Sequence, residues 1–132
     1  MVYKKYGRIK ITMRNHIIAQ HVAIEEALRS EHEIKHGAVL VKNGKIINSS
    51  RNQHCTLRRV KSFTQQRIWS IHAEMNVLHG IPKSVTRGCD LYVVRVTPYG
   101  IHKFMNSKPC GICSALCQKA GIRKVYYSVE GI

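Results

Sequence analysis

The spacing of apolar and polar positions changes period several times along the chain, and each change marks an element. From Asn15 to Glu33 the spacing is helical. Ile17, Ile24 and Leu28 share one stripe with Ala27 beside it, Glu25, Glu26 and Arg29 oppose or flank it, and Asn15 is a candidate N-cap. His21 falls on the edge of that stripe and reads as a boundary residue. His36-Gly37-Ala38-Val39-Leu40-Val41-Lys42 then reads as a strand, with Lys45 to Ser50 as its partner across Asn43-Gly44. Asn-Gly suits a two-residue hairpin turn because both central residues need positive φ.

Asn52 closes the second strand, and Gln53 to Ser70 follows as a polar connector long enough to suggest a functional role. Helical spacing returns from His72 to Gly80, with Met75, Val77 and Leu78 apolar and Gly80 as the stop. Leu91 to Val96 is a β-rich run with the character of a central strand. Thr97 to Lys108, with Pro98, Tyr99, Gly100 and Asn106, is an excursion. Cys110 to Ala120 predicts a helix stopped by Gly121, and Lys124 to Val129 a last strand. Helix, hairpin, helix, strand, helix, strand describes an α/β sheet covered by helices in three layers. The hairpin is antiparallel, and the later strands are parallel through a right-handed crossover.

The length of 132 residues fits one domain over residues 15–132, preceded by a basic arm over residues 1–14 in which Tyr3, Lys4, Lys5, Tyr6, Arg8, Lys10 and Arg14 interleave aromatics and bases. Such an arm suits nucleic acid, a solvated tail, or a lead-in packed on the first helix. Apolar runs are short and the basic start has no apolar stretch behind it, so neither a signal peptide nor a membrane span is expected. Five cysteines, two of them at ligand spacing, fit a reducing, intracellular compartment.

Charge changes the picture most. Against 22 Lys and Arg stand 7 Asp and Glu, a formal +15, and beyond Ile34 the only acids are Glu74, Asp90 and Glu130. This favours phosphate-bearing partners. The connector concentrates the bias, with Arg58, Arg59, Lys61 and Arg67 and no acid; Phe63, Trp69 and Tyr99 are candidates to stack on a base.

The chemistry is carried by His72-Ala73-Glu74 and Pro109-Cys110-Gly111-Ile112-Cys113. Both motifs fall where helices begin, which favours thiolate at the two cysteines, and Pro109 suits a first helical turn. Cysteines at i and i+3 share one turn, and His72 completes a His/Cys/Cys set. Three zinc ligands leave a fourth position for water, whose pKa zinc lowers towards ~7. Glu74 is not needed as a ligand and can move that water's proton to a ring nitrogen and then to a departing amine. A closed structural site using Cys117, Cys55 or His79 as fourth ligand is the alternative, and it leaves Glu74 unexplained. Cys117 reads more simply as a small buried apolar residue, and Cys89 carries no pattern.

These motifs resemble the cytidine/deoxycytidylate deaminase superfamily, whose signature is H-x-E…P-C-x-x-C. Gly37 to Val41, the Asn43-Gly44 hairpin, Asn52, His72-Ala73-Glu74, Leu91-Tyr92-Val93, Pro109 to Cys113 and Ala120 to Tyr126 follow in family order, covering about residues 15–129. The resemblance implies a cytidine-deaminase-like sheet, Zn2+ held by His72, Cys110 and Cys113, and Glu74 as proton shuttle. It implies also that Asn52 holds the sugar or base and that the Ala73 backbone N–H meets the base carbonyl.

A His as first ligand resembles the deoxycytidylate, tRNA-adenosine and polynucleotide-cytosine branches. Glu74-Met75-Asn76 and the long connector resemble the deoxycytidylate type, and the Thr97 to Lys108 excursion departs from the family pattern. The expected activity is hydrolytic conversion of cytosine to uracil in a nucleotide or in single-stranded DNA or RNA, with Arg58, Arg59, Arg67 and Trp69 on the substrate. Beside it stand a dCMP-only deaminase, a tRNA adenosine deaminase and an inactive deaminase-like module that binds RNA. A homo-oligomer is compatible with all of them.

Overall fold

The computed structural model describes residues 3–4, 13–32, 34–54, 70–97 and 104–129. In chain order these form β1 (Tyr3–Lys4), α1 (Met13–Arg29), β2 (Lys35–Lys42), β3 (Lys45–Arg51), β4 (Gln53–His54) and β5 (Ser70–Ile71). There follow α2 (Ala73–Leu78), α3 (Lys83–Thr86), β6 (Asp90–Val96), β7 (Phe104–Met105), α4 (Gly111–Ala120) and β8 (Lys124–Ser128). Within these residues no helix is long and apolar enough to cross a membrane. Arg58, Arg59, Arg67, Phe63, Trp69 and Cys55 of the expected connector, and Tyr99, lie outside the described residues.

The main sheet has the order β1-β8-β6-β2-β3, with β7 also on β6. The apolar run at Leu91 to Val96 takes the central place its two buried faces require. β2 pairs antiparallel with both β3 and β6, whereas β6 and β8 are parallel, Asp90 opposite Lys124. The hairpin turn is as expected, with Asn43 at φ 51° and Gly44 at φ 76°.

Strand alternation divides the core between two faces. Val39, Val41, Tyr92, Val94, Val96 and Tyr126 meet α1 through Ala19, Ala23 and Ala27; Ala38, Leu40, Leu91, Val93 and Tyr127 meet α2 and α4 through Ala73, Val77 and Cys117. This is the three-layer α/β/α arrangement. On the α1 side Tyr92 and Tyr126 stack with centroids 4.5 Å apart, and His16 meets both rings edge-on while its Nδ1 lies 2.9 Å from the Tyr92 hydroxyl.

Helix α1 differs from its expected form in two respects. It begins at Met13, so Asn15 lies inside it and does not cap it, and the boundary expected after residue 14 falls within the helix. Part of the expected arm is sheet: Tyr3 and Lys4 pair antiparallel with Ser128 and Tyr127. The buried stripe is also not the isoleucine stripe, for Ile17 and Leu28 are 45% and 40% exposed while Ala19, Ala23, Glu26 and Ala27 are buried. The reason is close approach. A Cβ on Gly37 of β2 would strike the Ala23 carbonyl and come within 2.6 Å of the Ala27 nitrogen, so only small side chains fit between helix and sheet. Glu26 is drawn inwards by Arg51 at 3.3 Å and the Ser49 hydroxyl at 3.1 Å, both on β3.

Because the two nearest atoms facing Gly37 are backbone and the third is the Glu26 Cβ, no rotamer change can relieve an added side chain there. Gly37→Ala is expected to destabilise the protein by about 2–3 kcal/mol, as overpacking does in tight cores, and Gly37→Val by more. Urea unfolding of the purified variants measures this; an alanine variant with an unchanged midpoint would show that α1 can move away freely.

Candidate metal centre and active site

Two helices aim their starts at one point. His72 is the N-cap residue of α2, extended at φ −67° and ψ 152°, and Cys110 holds the same position on α4. The Cys110 sulfur accepts from the Cys113 N–H at 3.5 Å, so cysteine does the capping and Pro109 stands just outside the helix, not in its first turn as the sequence suggested. N-caps are usually Ser, Thr, Asp or Asn. Here the position is given to metal donors instead, and the His72 ring makes no cap bond of its own.

Both ends of α4 are fixed. Gly121 at φ 76° ends the helix with the Gly121 N–H donating to the Gln118 carbonyl and the Ile122 N–H to the Cys117 carbonyl. Around that end the Thr86 hydroxyl donates to the Ala120 carbonyl at 2.7 Å, the Gly88 N–H donates to the Gly121 carbonyl, and Arg123 grips buried Asp90 through two bonds of 3.0 and 2.7 Å.

At the other end the excursion turns back on its own strand, β7 pairing Met105 with Arg95 and Phe104 with Val96. Ser107 then enters the core. Its hydroxyl donates to the Val93 carbonyl at 2.8 Å or pairs with the Ser128 hydroxyl at 2.9 Å, and its N–H donates to the Ser128 carbonyl at 2.9 Å. Two residues later the chain reaches Pro109 and the ligands.

His72, Cys110 and Cys113 place their donor atoms within 4.8 Å of one another. His72 Nδ1 is 3.2 Å from the Cys113 sulfur and 3.6 Å from that of Cys110. Tetrahedral zinc with ordinary bond lengths separates nitrogen from sulfur by about 3.6 Å, so the three residues fit the ion and leave a fourth position open. Cys117 and His79, the candidates for a fourth ligand, are not part of the cluster; Cys117 is buried against the sheet and His79 is exposed beyond the end of α2.

Burial is the dominant electrostatic fact here. It pushes the Cys113 thiol far up, with Glu74 and Cys110 adding to the rise. The helix starts therefore do not produce a thiolate at Cys113 by themselves; the metal must displace its proton. Glu74 is 3% exposed, and burial raises its carboxyl above the ordinary range, opposed by its own backbone N–H, by His72 and by Cys113. One of its oxygens, Oε1, has no hydrogen-bond partner among the described residues.

The surrounding residues are placed as follows. Ala73 is the buried first residue of α2, so its N–H belongs to the turn that the helix leaves without internal acceptors. Asn52 is 4% exposed, and its side-chain amide joins the α1–β2 turn to the end of β3: Oδ1 accepts from the Ser30 hydroxyl at 2.6 Å and the His36 N–H at 3.0 Å, and Nδ2 donates to the Ile34 carbonyl. Nearby, Asn76 of α2 donates to the Arg51 carbonyl at 3.0 Å.

His36 was not singled out by the sequence, where it read only as the first residue of an apolar strand. Alternation turns Gly37 to α1 and Ala38 to Ala73, so His36 shares the α2 face, and it stands opposite Arg95 of β6. Its Nε2 is buried with no partner among the described residues. Burial first, then Arg95, His72 and His32, hold its pKa down to about 4. The available signal was a polar residue at an inward position.

A family model of the cytidine and deoxycytidylate deaminase zinc-binding region matches residues 13–129. Among solved structures, a dCMP deaminase from the cyanophage S-TIM5 in apo form aligns with a TM-score of 0.61 and 22% identity over 88% of this chain and 83% of that one. The S-TIM5 dCMP deaminase in complex with dCMP and dUMP aligns with a TM-score of 0.53 and 26% identity over 84% and 75%. RibD of Acinetobacter baumannii aligns with a TM-score of 0.51 and 18% identity over 85% of this chain but 27% of its own. No curated protein is matched.

The ligand set can be tested by metal analysis. Cys110→Ala and Cys113→Ala are expected to lose stoichiometric zinc. Cys117→Ala should keep it, at a stability cost of about 1 kcal/mol for the small cavity left. Zinc loss in Cys117→Ala would overturn the three-residue assignment.

Proposed function

We propose, from the premise that the chain belongs to the cytidine and deoxycytidylate deaminase zinc-binding family, that this zinc-dependent hydrolytic deaminase converts dCMP to dUMP and ammonia. The observation that carries the reading is a buried carboxyl, Glu74, whose Oε1 has no partner among the described residues and which lies two residues from His72 in the three-donor cluster. The choice of nucleotide is supported by the S-TIM5 dCMP deaminase in complex with dCMP and dUMP.

His72, Cys110 and Cys113 would hold zinc, which when bound would supply the Lewis acidity that activates a water near neutrality. Glu74 takes the proton from the attacking water. It passes that proton to N3 of cytosine as the oxygen bonds to C4, then takes the proton of the new C4 hydroxyl and delivers it to the amine, which leaves as ammonia as the C4 carbonyl forms. A carboxyl raised by burial suits both halves of the task, since it must twice accept a proton and hand it on. Ala73 offers its N–H to the base carbonyl. Asn52 holds the sugar or base through the wall it forms with β2. Arg58, Arg59 and Arg67 meet phosphate, and Trp69 stacks on the base.

A second substrate reading rests on charge. A formal +15 exceeds what one phosphate needs and suits cytosine within a single strand, flipped or looped to reach the metal. Turnover of dCMP, single-stranded DNA and single-stranded RNA at several salt concentrations separates the two. The dCMP reading expects turnover of the mononucleotide far above that of either polymer, with KM changing only a few-fold from low to moderate salt. Efficient polymer turnover that collapses as salt rises would move the assignment to the second reading.

Glu74→Gln tests the proton shuttle. It is expected to retain zinc and to lose at least about a hundredfold in ammonia release. The folded protein holds the Glu74 proton more tightly than the unfolded chain, so stability is lost as pH rises from the ordinary carboxylate range through the folded value. With zinc removed from both, the variant should therefore melt higher than wild type at pH 8, with the difference shrinking towards pH 4. Full activity in the variant would remove Glu74 from the mechanism.

A further inference from the structure

We propose that His36 is a substrate-contact residue, its buried Nε2 pairing with a polar atom of the pyrimidine nucleotide that enters beside Glu74. The inference rests on the nucleotide deaminase reading and extends it to a residue on the sheet floor.

The argument begins with position. Ala38 packs in one cluster with Ala73, the first residue of α2, and His36 is the next residue of β2 on that face. Its backbone is fixed from both sides, the N–H donating to Asn52 Oδ1 at 3.0 Å and the carbonyl accepting the Asn52 N–H at 3.2 Å. The ring is thus presented from a rigid strand end beside the start of α2. A buried nitrogen without a partner costs stability, so an apolar side chain would serve better there if packing were its only role.

Glu74 Oε1 is the second buried polar atom of this face left without a partner among the described residues. His72 neighbours both groups, so a polar ligand entering beside it can pair with His36 Nε2. A neutral imidazole suits this, because its Nε2 donates to a carbonyl or hydroxyl oxygen in one tautomer and accepts from a hydroxyl or amine in the other. Burial and the neighbouring Arg95, His72 and His32 keep the ring neutral at physiological pH. Arg95, facing His36 across the β2–β6 pairing, adds a cation on the same side of the sheet for an anionic ligand.

The experiment uses zinc-loaded protein, with dUMP binding measured by calorimetry and dCMP turnover in parallel. His36→Leu should weaken dUMP binding about five- to tenfold, the scale of one lost hydrogen bond. Its nucleotide-free form should melt a few degrees higher than wild type, because the unpaired nitrogen is gone. His36→Gln, which restores a neutral hydrogen-bonding group, should recover most of the binding and give back the added stability.

A Leu variant that binds dUMP as tightly as wild type, or a Gln variant that binds no better than Leu, overturns the assignment while dCMP turnover by wild type leaves the deaminase reading standing. Wild-type protein that neither binds dUMP nor turns over dCMP overturns both. A Leu variant that melts lower than wild type with unchanged binding identifies His36 as a packing residue and overturns the proposal.

Discussion

Three donor atoms from residues far apart in sequence must meet within bonding reach of one ion, and much of the fold can be read as the means of meeting that constraint. His72 arrives at the start of α2, and Cys110 and Cys113 at the start of α4. Neither helix is long, and neither could hold its first turn in place alone. The sheet supplies the rigidity. α2 is fixed by Ala73 and Val77 against β2 and β6 and by the Asn76 bond to the end of β3, whereas α4 is clamped at its far end by Thr86, Gly88 and the Asp90–Arg123 pair.

Burial then sets the chemistry. A metal-free Cys113 keeps its proton, and Glu74 is held above its ordinary range by the same exclusion of water. Zinc therefore does more than add a reactive centre, since its charge compensates the buried Cys113 and Glu74, which are otherwise costly to ionise. Structure and metal chemistry are coupled through desolvation at the two helix starts.

Most of the sheet was legible because β periodicity and turn chemistry are local. Asn43-Gly44, the apolar run at Leu91 to Val96 and Gly121 each carry their conformation in residue type. The ligand motif was legible for the same reason, as its spacing encodes one helical turn. α1 was misread because periodicity alone ranks Ile17 and Leu28 above alanine, and nothing local announces that Gly37 brings the helix too close for large side chains. His36 and the Ser107–Ser128 contact were hidden for a related reason: their meaning comes from partners on other strands.

The β6–β7 pairing has a consequence for the ligand motif. Val96 and Phe104 face each other, and the chain is anchored again at Ser107 before it reaches Pro109. The approach of the chain to Cys110 and Cys113 is therefore set by two attachments to the sheet, the β7 pairing and the Ser107 hydroxyl, so the ligand motif inherits its position from β6 and β8.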